Sequence, residues 1–204
     1  MTSRRERKKQ QTFASIVSAA DRLFQVIGYH ASTIEVIAAD AGVSVGTVYN
    51  YFGTKHGILL AVVTSDTEQA LMDAGAALDL STEDPVDALM PLVMTYVNAM
   101  AALGRDVIKE LFRAGFDPAE SAMMTELISL DERSIAQIAE TLVLLRDRGF
   151  VSDDVDIASA AILIYSIVAV AILMFVSMPE STVQDLETTI RCQVTLVFEG
   201  IGSG

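Results

Sequence analysis

Residues 33–55 read TIEVIAADAGVSVGTVYNYFGTK, and this stretch decides the fold. Ile34, Ile37, Ala38 and Ala41 recur at helical steps of three and four, and Thr33 just before them carries a side-chain oxygen that can cap the first turn. Ser44 stands in the same relation to a second, very short helix ending near Asn50. Between the two, Ala41-Gly42-Val43 leaves room only for a tight turn, with Gly42 free to adopt a backbone conformation other residues resist and Val43 plugging inward. Two short helices at this spacing predict a helix-turn-helix.

Working outward toward the N-terminus, Phe13, Ile16, Val17, Ala20, Leu23, Phe24 and Ile27 lay one apolar stripe along a preceding helix, which Gly28 ends. Toward the C-terminus, Thr54 caps a helix reaching to about residue 80, and Ser81-Thr82-Glu83-Asp84-Pro85 marks a new start. Further stops at Gly104, Gly115-Phe116-Asp117-Pro118, Gly149 and Met178-Pro179 predict helices near 86–103, 106–114, 119–148, 156–177 and 182–199, the first kinked by Pro91. No segment alternates with strand period, and no internal repeat or low-complexity tract is present. The reading is all-α: a three-helix helix-turn-helix domain over 1–54 and a helical domain over 55–204, about nine helices together.

The charges follow the same division. Residues 1–57 hold seven basic side chains against four acidic ones, a net of +3, whereas the whole chain carries −13, which leaves −16 for the remainder. A basic head on an acidic body is the pattern expected when one end meets phosphates. Apolar residues make up 51% of the 204, and the mean hydropathy is +0.43. That is more apolar surface than a compact monomer ordinarily buries, and it points to a cavity, a subunit interface or a membrane. The single Cys192 excludes an internal disulfide and fits a reducing cytosol. The basic N-terminus runs into Gln10-Gln11-Thr12 and not into an apolar signal core, so export is not expected and the expected location is cytoplasmic.

The run from Thr33 to Lys55 resembles the DNA-binding signature of the TetR/AcrR family of transcriptional regulators, with the IA..AGVS.GT.Y.YF..K pattern present almost in full. One departure is His56, where the family often has an acid after the lysine; this bears on a local ion pair. The resemblance covers about a quarter of the chain, and the nine-helix layout extends it. It implies a dimer whose third helix enters the major groove, helices four to seven with part of eight enclosing a ligand, and helices eight and nine forming the dimer interface. On that footing the DNA-facing residues are Thr33, Ser44, Val45, Gly46, Thr47, Tyr49, Asn50, Tyr51 and Lys55. Hydroxyls and an amide suit base edges or phosphates, Val45 suits a thymine methyl, and Gly46 permits close approach of the backbone. Tyr49 and Tyr51 resemble the family's aromatic pair, one a phosphate donor and one partly packing, in an order the sequence leaves open. Lys55 near a helix start attracts phosphate. The basic cluster over 4–9 either reaches a minor groove or tracks phosphates as a disordered arm.

The resemblance implies a small-molecule effector of unspecified identity. The expected contacts are the large or adaptable side chains Met90, Met94, Tyr96, Met100, Phe112, Phe116, Met123, Met124 and Tyr165, with Arg113 available to a ligand carboxylate. Nine methionines and no tryptophan suit a cavity that reshapes around a hydrophobic or amphipathic ligand. The function expected is a one-component repressor, released from a palindromic operator by that effector. The alternative is a membrane-associated helical protein anchored through 157–178, which contains no charged side chain. Against the anchor stand the Ala- and Ser-rich composition, an acidic upstream flank (Asp153, Asp154, Asp156) and no basic anchor, so the expected partner for this segment is a second subunit, through helices near 156–177 and 182–199, and not a membrane. Leu163 with Leu173, or Val194 with Phe198, are the expected contacts. An enzyme is the third class. His30, His56 and Cys192 lie far apart with no phosphate loop or metal-ligand spacing, so no catalysis, cofactor or metal is expected.

Overall fold

The computed structural model describes residues 3–78, 80–117 and 121–201. Among them are nine helices and no strand: α1 (Arg4–Ile27), α2 (Ile34–Asp40), α3 (Val45–Phe52), α4 (Lys55–Ala77), α5 (Pro85–Leu103), α6 (Arg105–Gly115), α7 (Ser121–Asp147), α8 (Ile157–Ser177) and α9 (Val183–Ile201). The chain forms two compact units, Met1–Asp66 with Ala102–Leu127 and Thr67–Ala101 with Ile128–Gly204, so α4 and α7 each contribute to both. The first unit thus contains α6, which the sequence reading groups with the body.

The helix starts are written in the sequence. Ser3 accepts from the Glu6 amide at 3.2 Å, Thr33 from Val36 at 3.3 Å, Ser44 from Thr47 at 3.1 Å and Thr54 from Gly57 at 3.0 Å. Each satisfies one of the amides that a helix N-terminus leaves without a partner. Before α9 the pairing is reciprocal. The Thr182 hydroxyl accepts from the Asp185 amide at 3.2 Å while the Asp185 carboxylate accepts from the Thr182 amide at 2.8 Å, a capping box with Asp in place of Glu. Pro91 lies inside α5, which runs through it from residue 85 to 103.

In the first unit α2 packs on both α1 and α3. Ile16, Ala20, Phe24, Ile37, Ala38, Val48, Ile58 and Leu59 are buried. The apolar stripe of α1 is only partly interior: Ile16, Val17, Ala20 and Phe24 are buried, Leu23 is half-buried, and Phe13 and Ile27 are exposed. Two glycines set the geometry. Gly42 has φ 67°, the left-handed conformation that lets α2 turn into α3. At Gly57 a Cβ would fall 2.2 Å from the Phe52 carbonyl oxygen, so only glycine lets α3 end this close to the first turn of α4.

In the second unit α8 packs along α9, burying Ala160, Ala161, Ile164, Val168, Ala171 and Ile172 on one side of α8 and Leu186, Ile190, Val194 and Phe198 on one side of α9. Gln137 of α7 ties this unit internally, accepting from the Tyr96 hydroxyl at 2.5 Å and donating to the Leu71 carbonyl at 2.9 Å. Among the described residues two helices, α5 and α8, are long and apolar enough to cross a membrane by length and composition.

Candidate nucleic-acid interface

The second helix of the helix-turn-helix, α3, turns one side chain fully inward, that of Val48. Gly46, Tyr49 and Asn50 form its exposed arc, with Val45 and Thr47 half-buried at the edges and Ser44 exposed at the cap. The Ser44 and Thr47 hydroxyls are 2.8 Å apart and hydrogen-bonded, so both serve the helix start as well as its surface. The Asn50 side chain is exposed and makes no hydrogen bond among the described residues. Thr33 is likewise exposed, at the start of α2.

The two tyrosines separate cleanly. Tyr49 is 50% exposed on the outer arc. Tyr51 packs against Phe13 and Phe52, with ring centroids 6.5 Å and 6.1 Å away, and its hydroxyl donates to the Lys9 carbonyl at 3.3 Å. Tyr51 therefore holds the first turns of α1 beside α3. Those turns carry Arg4, Arg5, Arg7, Lys8 and Lys9, all exposed and all helical, and not a disordered arm: Ser3 caps the helix, and long basic side chains are good helix formers.

Lys55 is held by the chain's own backbone. Its ammonium donates to the Tyr29 carbonyl, lies 3.5 Å from the His30 carbonyl and sits 3.9 Å above the Tyr29 ring. Burial lowers its pKa, opposed by the charge of Glu110. The side chain clamps the α1–α2 connection to the start of α4. Beside it, His56 Nε2 is 3.0 Å from Glu110 Oε1 of α6 and its ring stacks on Tyr29 at 6.4 Å. Glu110 is 5% exposed. It also accepts from Arg113 at 2.9 and 2.5 Å, and those bonds, against the cost of burial and aided by His56, hold its carboxyl down to about 2. The ion pair at position 56 is therefore a histidine with an acid from α6. Sequence reading missed Glu110. Its signal was an acid among Val107, Ile108, Leu111 and Ala114, all of which are buried with it.

The residues expected to touch an effector are dispersed. Met90, Tyr96 and Met123 are buried, and Met94, Met100, Phe112, Met124 and Tyr165 are half-buried. The Tyr165 hydroxyl donates to Asp131, and burial pushes its phenol up, so it stays a donor. Phe116 is 77% exposed. Arg113 is exposed and held by Glu110. Among the described residues no three His, Cys, Asp or Glu side chains stand together as a metal set.

Residues 16–62, which span α2, α3 and their supports, match the model of the bacterial regulatory proteins of the tetR family. Over those residues the chain carries the DNA-binding domain of that family. Its tetR head is 30% identical over 71 residues to the HTH-type transcriptional regulator UidR of Escherichia coli (strain K12), a stretch that is 35% of this chain and 36% of UidR. The chain thus matches about a third of the length of that curated relative. Solved structures carry the likeness over the whole fold. A TetR-family transcriptional regulator from Pectobacterium atrosepticum superposes with a TM-score of 0.74 at 19% identity, covering 100% of this chain and 99% of that one. Thermus thermophilus FadR, a TetR-family repressor solved in complex with lauroyl-CoA, gives a TM-score of 0.70 at 23% identity, covering 94% of this chain and 96% of that one.

Proposed function

We propose that this tetR-family chain is a one-component transcriptional repressor that binds a palindromic operator as a homodimer and leaves it when a small hydrophobic or amphipathic effector binds the helical body. The observation that carries the reading is α3: a capped helix with one inward anchor, Val48, and an outer arc of Gly46, Tyr49 and Asn50, inside the family-matched segment. That arc faces base edges, and the exposed basic turns of α1 face phosphates. Ser44, Thr47 and Thr33 are assigned to contacts along the same surface, whereas Tyr51 and Lys55 support it from behind.

The dimer forms through α8 and α9. Ile162, Leu163, Val170, Leu173 and Met174 are exposed along α8 and Leu196 along α9, an apolar face that a second copy covers. This accounts for the apolar composition of 157–178 better than a membrane does, since the opposite side of the same helix is buried against the chain's own core. The effector is assigned to the Met- and Tyr-containing interior of the second unit, around Met90, Met94, Tyr96, Met100 and Tyr165, whereas Phe112, Met123 and Met124 belong to the first unit. The precedent of FadR with lauroyl-CoA supports an acyl-type ligand. Because α4 is one continuous helix that enters both units, a ligand-dependent displacement of its C-terminal half reaches Lys55 and His56, and effector and operator oppose each other's binding to equal degree.

Selection of bound duplexes from a random pool by the purified chain tests the head without knowledge of the effector. A palindrome is expected, with binding lost in Tyr49→Ala and, for lack of a properly seated α1, weakened in Tyr51→Ala. Recovery of no sequence above background, with the protein folded, overturns the reading.

A further inference from the structure

The bases that this head reads are narrowed by what α3 lacks. From Val45 to Phe52 the helix contains no Lys, Arg, Asp or Glu. Direct recognition of a guanine is made chiefly by a guanidinium or ammonium bonded to its O6 and N7, and recognition of a cytosine amine by a carboxylate. Two basic side chains of the same unit are committed elsewhere. Lys55 is held on the Tyr29 and His30 carbonyls, and Arg22 pairs with Asp40 of α2. The basic turns of α1 belong to a different helix, which Tyr51 holds beside α3 through the Lys9 carbonyl, and are assigned above to phosphates. On the outer arc Gly46 has no side chain, so the helix backbone approaches the groove floor closely. The side chains that remain are the Asn50 amide, Tyr49, and Val45 at the edge of the arc. The Ser44 and Thr47 hydroxyls are bonded to each other.

We propose that each operator half-site is read at A·T pairs, with the Asn50 amide bonded to N6 and N7 of an adenine, the Val45 side chain against a thymine methyl, and no guanine contact from α3. This rests on the repressor reading above. A side-chain amide accepts from the N6 amine through its oxygen and donates to N7 through its N–H, the pattern adenine presents in the major groove, and a branched aliphatic side chain at a helix start discriminates only the methyl. The α1 cations reinforce the preference, since a narrow A-tract minor groove concentrates negative potential that attracts Arg and Lys.

The test uses the full chain and the duplexes it selects. The expected half-site carries A·T pairs at two fixed positions. Replacing the contacted thymine by deoxyuridine, which removes only the methyl, weakens binding about fourfold for the wild-type chain and leaves binding by Val45→Ala unchanged. Asn50→Ala, folded by circular dichroism, loses roughly 5- to 150-fold of the discrimination at the adenine position. A selected half-site built on required G·C pairs, or base preferences that Asn50→Ala and the deoxyuridine duplex leave intact, overturns this proposal while the repressor reading stands. Selection of no sequence at all overturns the repressor reading itself, and this proposal with it.

Discussion

Tyr49 and Tyr51 differ by two positions in a helix of eight, which is enough to send one outward and the other against Phe13 and Phe52. The sequence named both and left their order open, because the helix period fixes their angular separation but not which angle faces α1. Lys55 shows a related effect: a lysine near a helix start attracts phosphate in general, and here two carbonyls of the α1–α2 connection also bind its ammonium. Asp66 is a residue whose cost is set by surroundings alone. Burial, and after it the negative charge of Asp21, push its carboxyl up to about 6 from the ordinary 3.8. The folded chain therefore holds this proton more tightly than the unfolded chain. The contribution is fully present below pH 3.8 and is lost as pH rises through about 6. Asp66→Asn is expected to raise stability at pH 8 by about 1 kcal/mol, a figure reduced for the group's partial exposure, and to leave stability at pH 3.5 nearly unchanged. Urea unfolding at the two pH values checks this, and an equal effect at both would remove the pKa as its cause.

Among the elements, the starts of α2 and α3 were legible to the residue, because Thr33 and Ser44 set them by local hydrogen bonds, whereas the start of α1 at Arg4 behind Ser3 was not. The link between α4 and α6 was not. His56 and Glu110 are 54 positions apart, and no local pattern brings a histidine to an acid at that distance. Glu110 is held well below the ordinary 4.5 chiefly by Arg113, so its contribution is present above pH 4.5 and fades as pH falls toward about 2. Glu110→Gln is expected to cost about 1–2 kcal/mol at pH 7, since charged hydrogen bonds to a buried acceptor are weakened and Arg113 is partly screened by water. It is also expected to flatten the acid limb of the stability profile between pH 4.5 and 2. Denaturant titrations across that range measure both effects, and an unchanged acid limb would mean that other carboxylates govern it.

At the scale of the whole molecule, the apolar excess divides between two sides of the same helices. Leu163 and Leu173 of α8 are 50% and 49% exposed, whereas Val194 and Phe198 of α9 are 0% and 6% exposed within a single chain. The two pairs, equivalent as interface candidates in the sequence, are therefore separated: the α9 pair belongs to the core that α8 and α9 share. Leu163→Glu with Leu173→Glu is expected to give a folded monomer whose operator affinity falls at least tenfold, read by sedimentation and by duplex binding, because a lone head reads only one half-site. Val194→Glu is expected instead to unfold the body, since it places an unpaired charge in the interior. A dimer that survives both α8 charges would place the interface elsewhere. The helix count, the helix-turn-helix, its caps and the basic head on an acidic body were determined by the sequence alone, since capping, turn chemistry, periodicity and charge balance act over a few neighbouring residues or in simple sums. Only the tertiary structure decided which tyrosine faces outward, where the Lys55 ammonium goes, that Glu110 closes on His56, and which apolar side of α9 is core. Each of these depends on which residue from a distant helix arrives at the same place, and burial and pairing are properties of that meeting and not of either residue's neighbours in the chain.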